Sequence, residues 1–588
     1  MKDFFKYTLA TITGLILTGV LLFFFAFSTL VAMLATSDTE VQVKESSVLT
    51  LKLNGSLSER AIDNPLMELM SSQNSTVGLN DILNAIRKAK TNENIEGIYL
   101  DAGSMSASFA SLEAIRNALI DFKESDKFVI TYGDQYTQGL YYVSSVADEI
   151  HLNPEGGVVW AGLAVQPMFY TDLLKNIGVD MQIFKVGTYK SAVEPYTETK
   201  MSPASREQTS VFLNDLWSHM VSGVSSARNI STEELQNLAN QMMLFQPTAL
   251  SLEHKLVDKL SYRSDMDEVI KDKLNGDKPR FISFNQMKNV PVAVDPKIKN
   301  EGNIAIYYAE GTIVDSSSNS FNSEIVANKV IKDLKKLQEN EDIKAVVVRV
   351  NSPGGSAFAS EQIWKSIMNL KAEKPVVVSM GDYAASGGYY ISAAADLIVA
   401  EPTTLTGSIG IFAMIPSFGK IAHSVGLDFD VVKTNEFSDF GALYRNMNSG
   451  EKQLLQNYVE NGYDLFVKRC AEGRSMSDEA IRAIAEGRVW TGARAKELGL
   501  VDQLGGIEVA IALAADKAGI TQYRRKSYPS MPSLIEQLME MTSKDAVSVY
   551  LNNSIYKDIF VKAEEFKRLT ERSPLQARMP YEFNFQSL

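Results

Sequence analysis

Apolar and polar residues follow two regimes along this chain. The first is a run without alternation: no charged residue lies between Lys6 and Asp38, and the stretch YTLATITGLILTGVLLFFFAFSTLVAMLATS is mostly apolar. A bilayer core of about 30 Å takes about 20 such residues in a helix, so the run predicts a membrane anchor over residues 7–37. A cleavable signal peptide would have a shorter apolar core, of about 7 to 15 residues, ending at a small-x-small site. Met33 and Ala35 fill those positions poorly. Lys2 and Lys6 compete with Lys44 and Lys52 for the inside, and the short N-terminal tail favours export of the bulk of the chain.

In the second regime short β-branched runs alternate with helical patterns: IKAVVVRV, SEQIWKSIMNLKAE, KPVVVSM, GGYYISAAA and LIVAE. Such alternation predicts parallel α/β units, and the continuously apolar strands imply a sheet covered on both faces. Ile363, Ile367 and Leu370 recur at i, i+4 and i+7, the spacing of one buried helical stripe. Residues 265–302 read as a linker. From about residue 520, SLIEQLMEM and DIFVKAEEFKRL predict amphipathic helices without recognisable chemistry.

The pattern occurs twice. Residues 132–163 align without a gap on 380–411 at an offset of 248, and eleven of the 31 positions from Gly133 onward are identical. NIEGIYLDAG pairs with DIKAVVVRVN and IGVDMQIFK with VGLDFDVVK at the same offset; HKLVDKL matches LGLVDQL at 244. Two tandem copies of one α/β domain follow. The expected division is an anchor over 1–37, copies over 46–292 and 293–515, and a helical tail over 516–588.

Composition narrows the function. With 45% hydrophobic and 22% charged residues the chain can bury a large core, and a net charge of −13 argues against nucleic acid as a partner. Cys470 is the single cysteine, so no internal disulfide or multi-cysteine metal site can form, and its setting in FVKRCAEG reads as helix packing. His151, His219, His254 and His423 show no metal-binding spacing. Neither a metal nor a cofactor is expected.

The candidate chemistry lies in GDYAASGGYY. Ser386 follows a strand and precedes a helix, which suits either an N-cap or a nucleophile at the C-terminal edge of a sheet. AASGG is not the G-x-S-x-G elbow. A serine nucleophile needs a base, and no histidine is linked to it by pattern. A buried lysine can serve, because desolvation disfavours its charged form. The candidate is Lys190 in KVGTYKSAVEPYTET, whose bland reading is a solvated side chain paired with Glu194. The repeat sharpens the choice: at the offset of 248, Ser386 corresponds to Gln138 and Lys190 to Ser438, so each copy keeps what the other lacks. Lys185 and Lys433 correspond to each other, which implies a shared structural job.

GTYKSAVEPYT, RVNSPGGSA, GDYAASGGYY, TGSIGIF and GRVWTGARAKELGLVDQLGG together resemble the long, duplicated form of signal peptide peptidase A, in peptidase family S49. The resemblance implies tandem ClpP/crotonase-like domains behind a transmembrane helix, with a Ser386/Lys190 dyad. It also implies a homotetramer in the bacterial inner membrane, its catalytic part facing the periplasm, acting on cleaved signal peptides and other unfolded apolar peptides. In such folds backbone amides of a Gly-rich loop and of the helix after the nucleophile hold the oxyanion, which points to Gly354 or Gly355 and to Gly387. NSPGG is also an ordinary Pro-Gly turn, and the first copy reads AGSMS there. Two other readings remain: a crotonase-like acyl-CoA enzyme using the same amides, and a non-catalytic membrane scaffold.

Overall fold

The β-branched runs form two parallel sheets of the same topology in the computed structural model, which describes residues 2–36, 40–61, 76–291, 301–316, 323–531 and 575–579. In the first copy the strands Ser47–Ser58, Ile95–Ser106, Phe128–Tyr136, Glu149–Val158 and Lys259–Leu260 lie side by side. In the second, Gly302–Glu310, Ile343–Ser352, Val376–Ala385, Leu397–Ala400 and Gln503–Leu504 repeat that order. Helices cover the sheets, as the apolar strands require; Ile363, Ile367 and Leu370 are buried on the helix Ala357–Lys371.

The residues shared by the copies tie backbone together. Tyr141 Oη donates to the Leu256 carbonyl at 2.9 Å, and Tyr389 Oη to that of Leu500 at the same distance. Asp148 accepts the Val129 N–H at 2.7 Å and Asp396 that of Val376 at 2.8 Å. Asp258 and Asp502 likewise accept from Ile150 and Ile398. These carboxylates satisfy strand-end donors that the sheet leaves unpaired, and an orphaned buried donor costs about 1–3 kcal/mol.

Polar contacts and a shared sheet join the copies. Arg349, buried on the second sheet, donates from Nε to Glu59 of the first copy at 3.0 Å, and from Nη1 to Ser379 Oγ and the Met380 carbonyl. Asp382 accepts from the N–H and hydroxyl of Ser111 at 2.9 and 2.8 Å. A smaller sheet then crosses between them, in the order Glu324–Val326, Thr312–Val314, Gly354–Ser356, Leu575–Arg578, Ile411–Ser417, Asp180–Val186. There the first copy's Asp180–Val186 pairs antiparallel with the second copy's Ile411–Ser417. The pairing carries the chain that follows Val186 across to the second sheet.

Several expectations change. Residues 265–302 are not all linker, because Arg280–Ser283 adds a strand to the first sheet beside Ser47–Ser58. Residues 516–588 are not simply a helical tail: Tyr523–Tyr528 pairs with Gly302–Glu310 and Leu575–Arg578 enters the crossing sheet. SLIEQLMEM and DIFVKAEEFKRL lie outside the described residues. Lys185 sits in the ladder opposite Phe412, whereas Lys433 lies in a segment without strand structure and pairs with Asp439, so they share no structural job. Lys2–Thr36 is one helix. Among the described residues no helix is long and apolar enough to cross a membrane.

Candidate active site

Lys190 and Ser386 meet where the two copies touch. Lys190 Nζ lies 2.8 Å from Ser386 Oγ, 3.1 Å from Ser408 Oγ and 3.2 Å from the Ser408 carbonyl oxygen. All three residues are 0% exposed. Desolvation alone pushes the Lys190 amine well below the ordinary lysine range. Glu194, the carboxylate expected beside it, instead accepts from the hydroxyl and N–H of Ser202 at 2.6 and 3.1 Å.

Local backbone holds the amine in place. Tyr189 N–H donates to the Glu486 carbonyl at 2.9 Å, and Gly487 N–H to that of Ile409 at 2.8 Å. A Cβ on Gly487 would lie 2.7 Å from Lys190 Cβ, and one on Gly410 3.2 Å from Lys190 Cδ. Glycine at both positions therefore lets the lysine stem pass. Gln208 adds a brace: its amide donates to the Tyr189 carbonyl and to Ser191 Oγ, both at 2.9 Å, while its oxygen accepts the Val489 N–H.

Ser386 opens the helix Gly387–Ser392 without capping it, since its side chain makes no cap hydrogen bond. Its backbone sits at φ 55°, ψ −114°, a conformation that costs a non-glycine residue on the order of 1–3 kcal/mol. Its N–H donates to the Gly407 carbonyl and its carbonyl accepts from Tyr390, both at 2.8 Å. The backbone is thus pinned on both sides while the hydroxyl points to Lys190. Both catalytic candidates from the sequence come together.

The glycines converge beside them. Gly354 has φ +100°, and a Cβ there would lie 2.8 Å from the Gly387 nitrogen. Gly354 N–H, however, donates to Ser352 Oγ at 3.1 Å, which leaves Gly355 and Gly387 as the amides able to face a developing oxyanion. Sequence reasoning missed Ser408. Its signal was present in TGSIGIF, because at the offset of 248 it stands opposite Trp160. His423 is exposed, and Cys470 is buried with its thiol pushed up by desolvation. Among the described residues, no cluster of His, Cys, Asp and Glu could hold a metal ion.

The chain matches the profile of peptidase family S49 over residues 102–276 and 368–521, and that of Clp protease over 309–401. It is 37% identical over 469 residues to Protease 4 of Salmonella typhi, covering 78% of this chain and 75% of that one. It is 36% identical to Protease 4 of Haemophilus influenzae, covering 73% and 71%, and 31% identical to the chloroplastic serine protease SPPA of Arabidopsis thaliana, covering 82% and 70%. With both copies matched and both catalytic candidates in contact, this chain belongs to peptidase family S49.

Proposed function

We propose that the chain is a membrane-anchored serine endopeptidase in which Lys190, from the first copy, activates Ser386, from the second. The observation that carries this reading is the 2.8 Å contact between Nζ and Oγ in a site closed to water. A neutral amine has two N–H bonds and one lone pair. The three contacts match it: the N–H groups donate to the Ser408 carbonyl and hydroxyl, and the lone pair accepts the Ser386 proton. Ser386 Oγ then attacks the peptide carbonyl, the Gly355 and Gly387 amides take the oxyanion, and Lys190 returns the proton to the leaving amine. Water hydrolyses the acyl-enzyme by the reverse route.

By resemblance the substrates are cleaved signal peptides and other unfolded apolar peptides, at the periplasmic face of a bacterial inner membrane. The charge-free run after Lys6, within the helix Lys2–Thr36, supports the anchor. A homotetramer is part of the same reading, and the repeat supports head-to-tail association. Asp180–Val186 pairs with Ile411–Ser417 inside one chain, but the counterparts, 428–434 and 163–169, are unpaired. Phe429, Val432 and Met168 are left exposed there, Val432 at 98%. The same antiparallel register between neighbouring copies covers them. Sedimentation should then give a tetramer for the wild type and smaller species for Val432→Glu; an unchanged tetramer would remove this pairing.

The activity is tested by peptide cleavage with the wild type, Ser386→Ala and Lys190→Ala. Loss in both variants is expected, and full activity in either would sink the mechanism.

A further inference from the structure

A cavity of about 360 Å³ lies between the copies, and neither Lys190, Ser386 nor Ser408 lines it. The first copy's helix Leu79–Thr91 forms one wall. The helix Ile507–Ala518 and the strand Tyr523–Tyr528, which belong with the second sheet, form the other. Sites for small molecules run from about 300 to 1,000 Å³, so there is room for a compact ligand. Leu83, Met287, Ile306 and Ile507 make part of the lining apolar.

The cations on its walls are matched one by one, except Arg87. Lys288 Nζ lies 3.1 Å from Asp81, Arg349 Nη2 lies 2.9 Å from Glu59, and Arg525 donates to both oxygens of Glu508 at 2.6 and 2.7 Å. Lys88 uses its three protons on the carbonyls of Met287, Lys288 and Val290, at 2.8, 2.9 and 2.7 Å. Arg87 Nη2 donates to Asn84 Oδ1 at 2.8 Å, and its buried Nε has no hydrogen-bond partner among the described residues. Burial, and after it the like charge of Arg525, pushes this guanidinium below the ordinary arginine range. The nearby carboxylate of Glu508 is already held by Arg525. A part-buried cation without its own counter-charge is unfavourable, and an anion laid against it relieves that.

We propose that this cavity binds a small carboxylate with an apolar body, its carboxylate on Arg87 and its body against Leu83 and Ile507. Nη2 carries a second N–H, and the edge it shares with Nε suits both oxygens of a planar carboxylate. One guanidinium without a counter-charge balances one negative charge. The occupant touches both copies at once, and so favours the docked arrangement that brings Lys190 to Ser386; its binding does not depend on the dyad. Two sources share this chemistry: a free organic acid, and the C-terminal residue of an apolar peptide, which is what a peptidase releases.

Titration calorimetry on the full-length protein in a non-ionic detergent, with hexanoate and with N-acetylleucine as probes, tests the proposal. At least one of them should bind with a Kd of about 1 mM or tighter, and its neutral amide at least about tenfold more weakly. Arg87→Met should weaken the acid at least about tenfold as well. Without a probe this variant should melt no lower than the wild type, because methionine keeps the apolar stem and removes a charge that lacks a partner. The wild-type melting temperature should rise with probe concentration and that of Arg87→Met should not. Binding of hexanoate alone assigns the cavity to free acids, and binding of N-acetylleucine alone assigns it to peptide C-termini. No binding of either probe, equal binding of acid and amide, unchanged binding in Arg87→Met, or a lower melting temperature of that variant overturns the proposal.

Discussion

Gln138 and Ser386 occupy the same place in two copies of one fold, and their surroundings differ in kind. Gln138 is consumed by structure: its oxygen accepts the N–H groups of Ala161 and Gly162 at 2.9 and 3.0 Å, and its amide donates to the Gly162 carbonyl. Thr137 caps the following helix in the ordinary way, accepting from Leu140. In the second copy no side chain caps the helix, the backbone at Ser386 is strained, and the hydroxyl meets an amine from the other copy. Trp160, opposite Ser408, anchors itself to the Leu235 carbonyl, and Ser438, opposite Lys190, lies in an exposed turn. The framework bonds of the tyrosines and aspartates are alike in both copies. The proposed chemistry therefore rests on three positions laid over a shared scaffold, and neither copy holds all three.

The largest effect that would break this contrast is at Ser386. Ser386→Ala should lower kcat by about 10⁴-fold or more in a peptide-cleavage assay, because the residual rate would come from the amides and substrate binding alone. Lys190→Met should be nearly as inactive, yet melt at a higher temperature near neutral pH. The sign follows from burial: the folded-state pKa of Lys190 lies below the unfolded one, so between them the unfolded chain binds more protons and stability rises with pH. Lys190→Met should flatten that slope, as read from denaturation at several pH values. For the same reason wild-type kcat/KM should rise with pH to a plateau reached well below the ordinary lysine range, where the amine is already neutral.

A smaller effect belongs to Ser408. Ser408→Ala removes one of the two acceptors that orient the amine and should cost about tenfold in kcat, with KM little changed. The smallest effect on activity is on the silent side. Gln138→Ala leaves the Ala161 and Gly162 N–H groups without their acceptor and should destabilise the fold by about 1–3 kcal/mol while leaving kcat unaltered. A fall in kcat beyond about threefold would mean that the first copy's pocket takes part in the chemistry.

Much of this was legible in the chain. The strands and helices of both copies follow from β-branched runs and a single helical stripe, because local pattern governs elements whose faces are buried. Comparing the copies singled out Ser386 and Lys190 before any geometry was known. Ser408 went unnoticed for a physical reason: a serine beside glycines in TGSIGIF looks like turn chemistry, and only the meeting of the copies gives it an amine to hold. Leu575–Arg578 was hidden for a related one. Four residues between unremarkable stretches carry no periodicity, and their strand exists only because two edges from distant parts of the chain receive them. Equal spacing also misled at Lys185 and Lys433, since the first copy's segment finds a partner strand within the chain and the second copy's does not.

The dyad is tested most directly by acylating the protein with a serine-directed probe across a range of pH, locating the label by peptide mass spectrometry, and repeating the titration with Lys190→Met. Labelling is expected at Ser386, half-maximal well below the ordinary lysine range, and abolished in Lys190→Met at every pH at which the fold persists. Label on another serine, or an unchanged titration without Lys190, would contradict the pairing of the two copies' residues into one site.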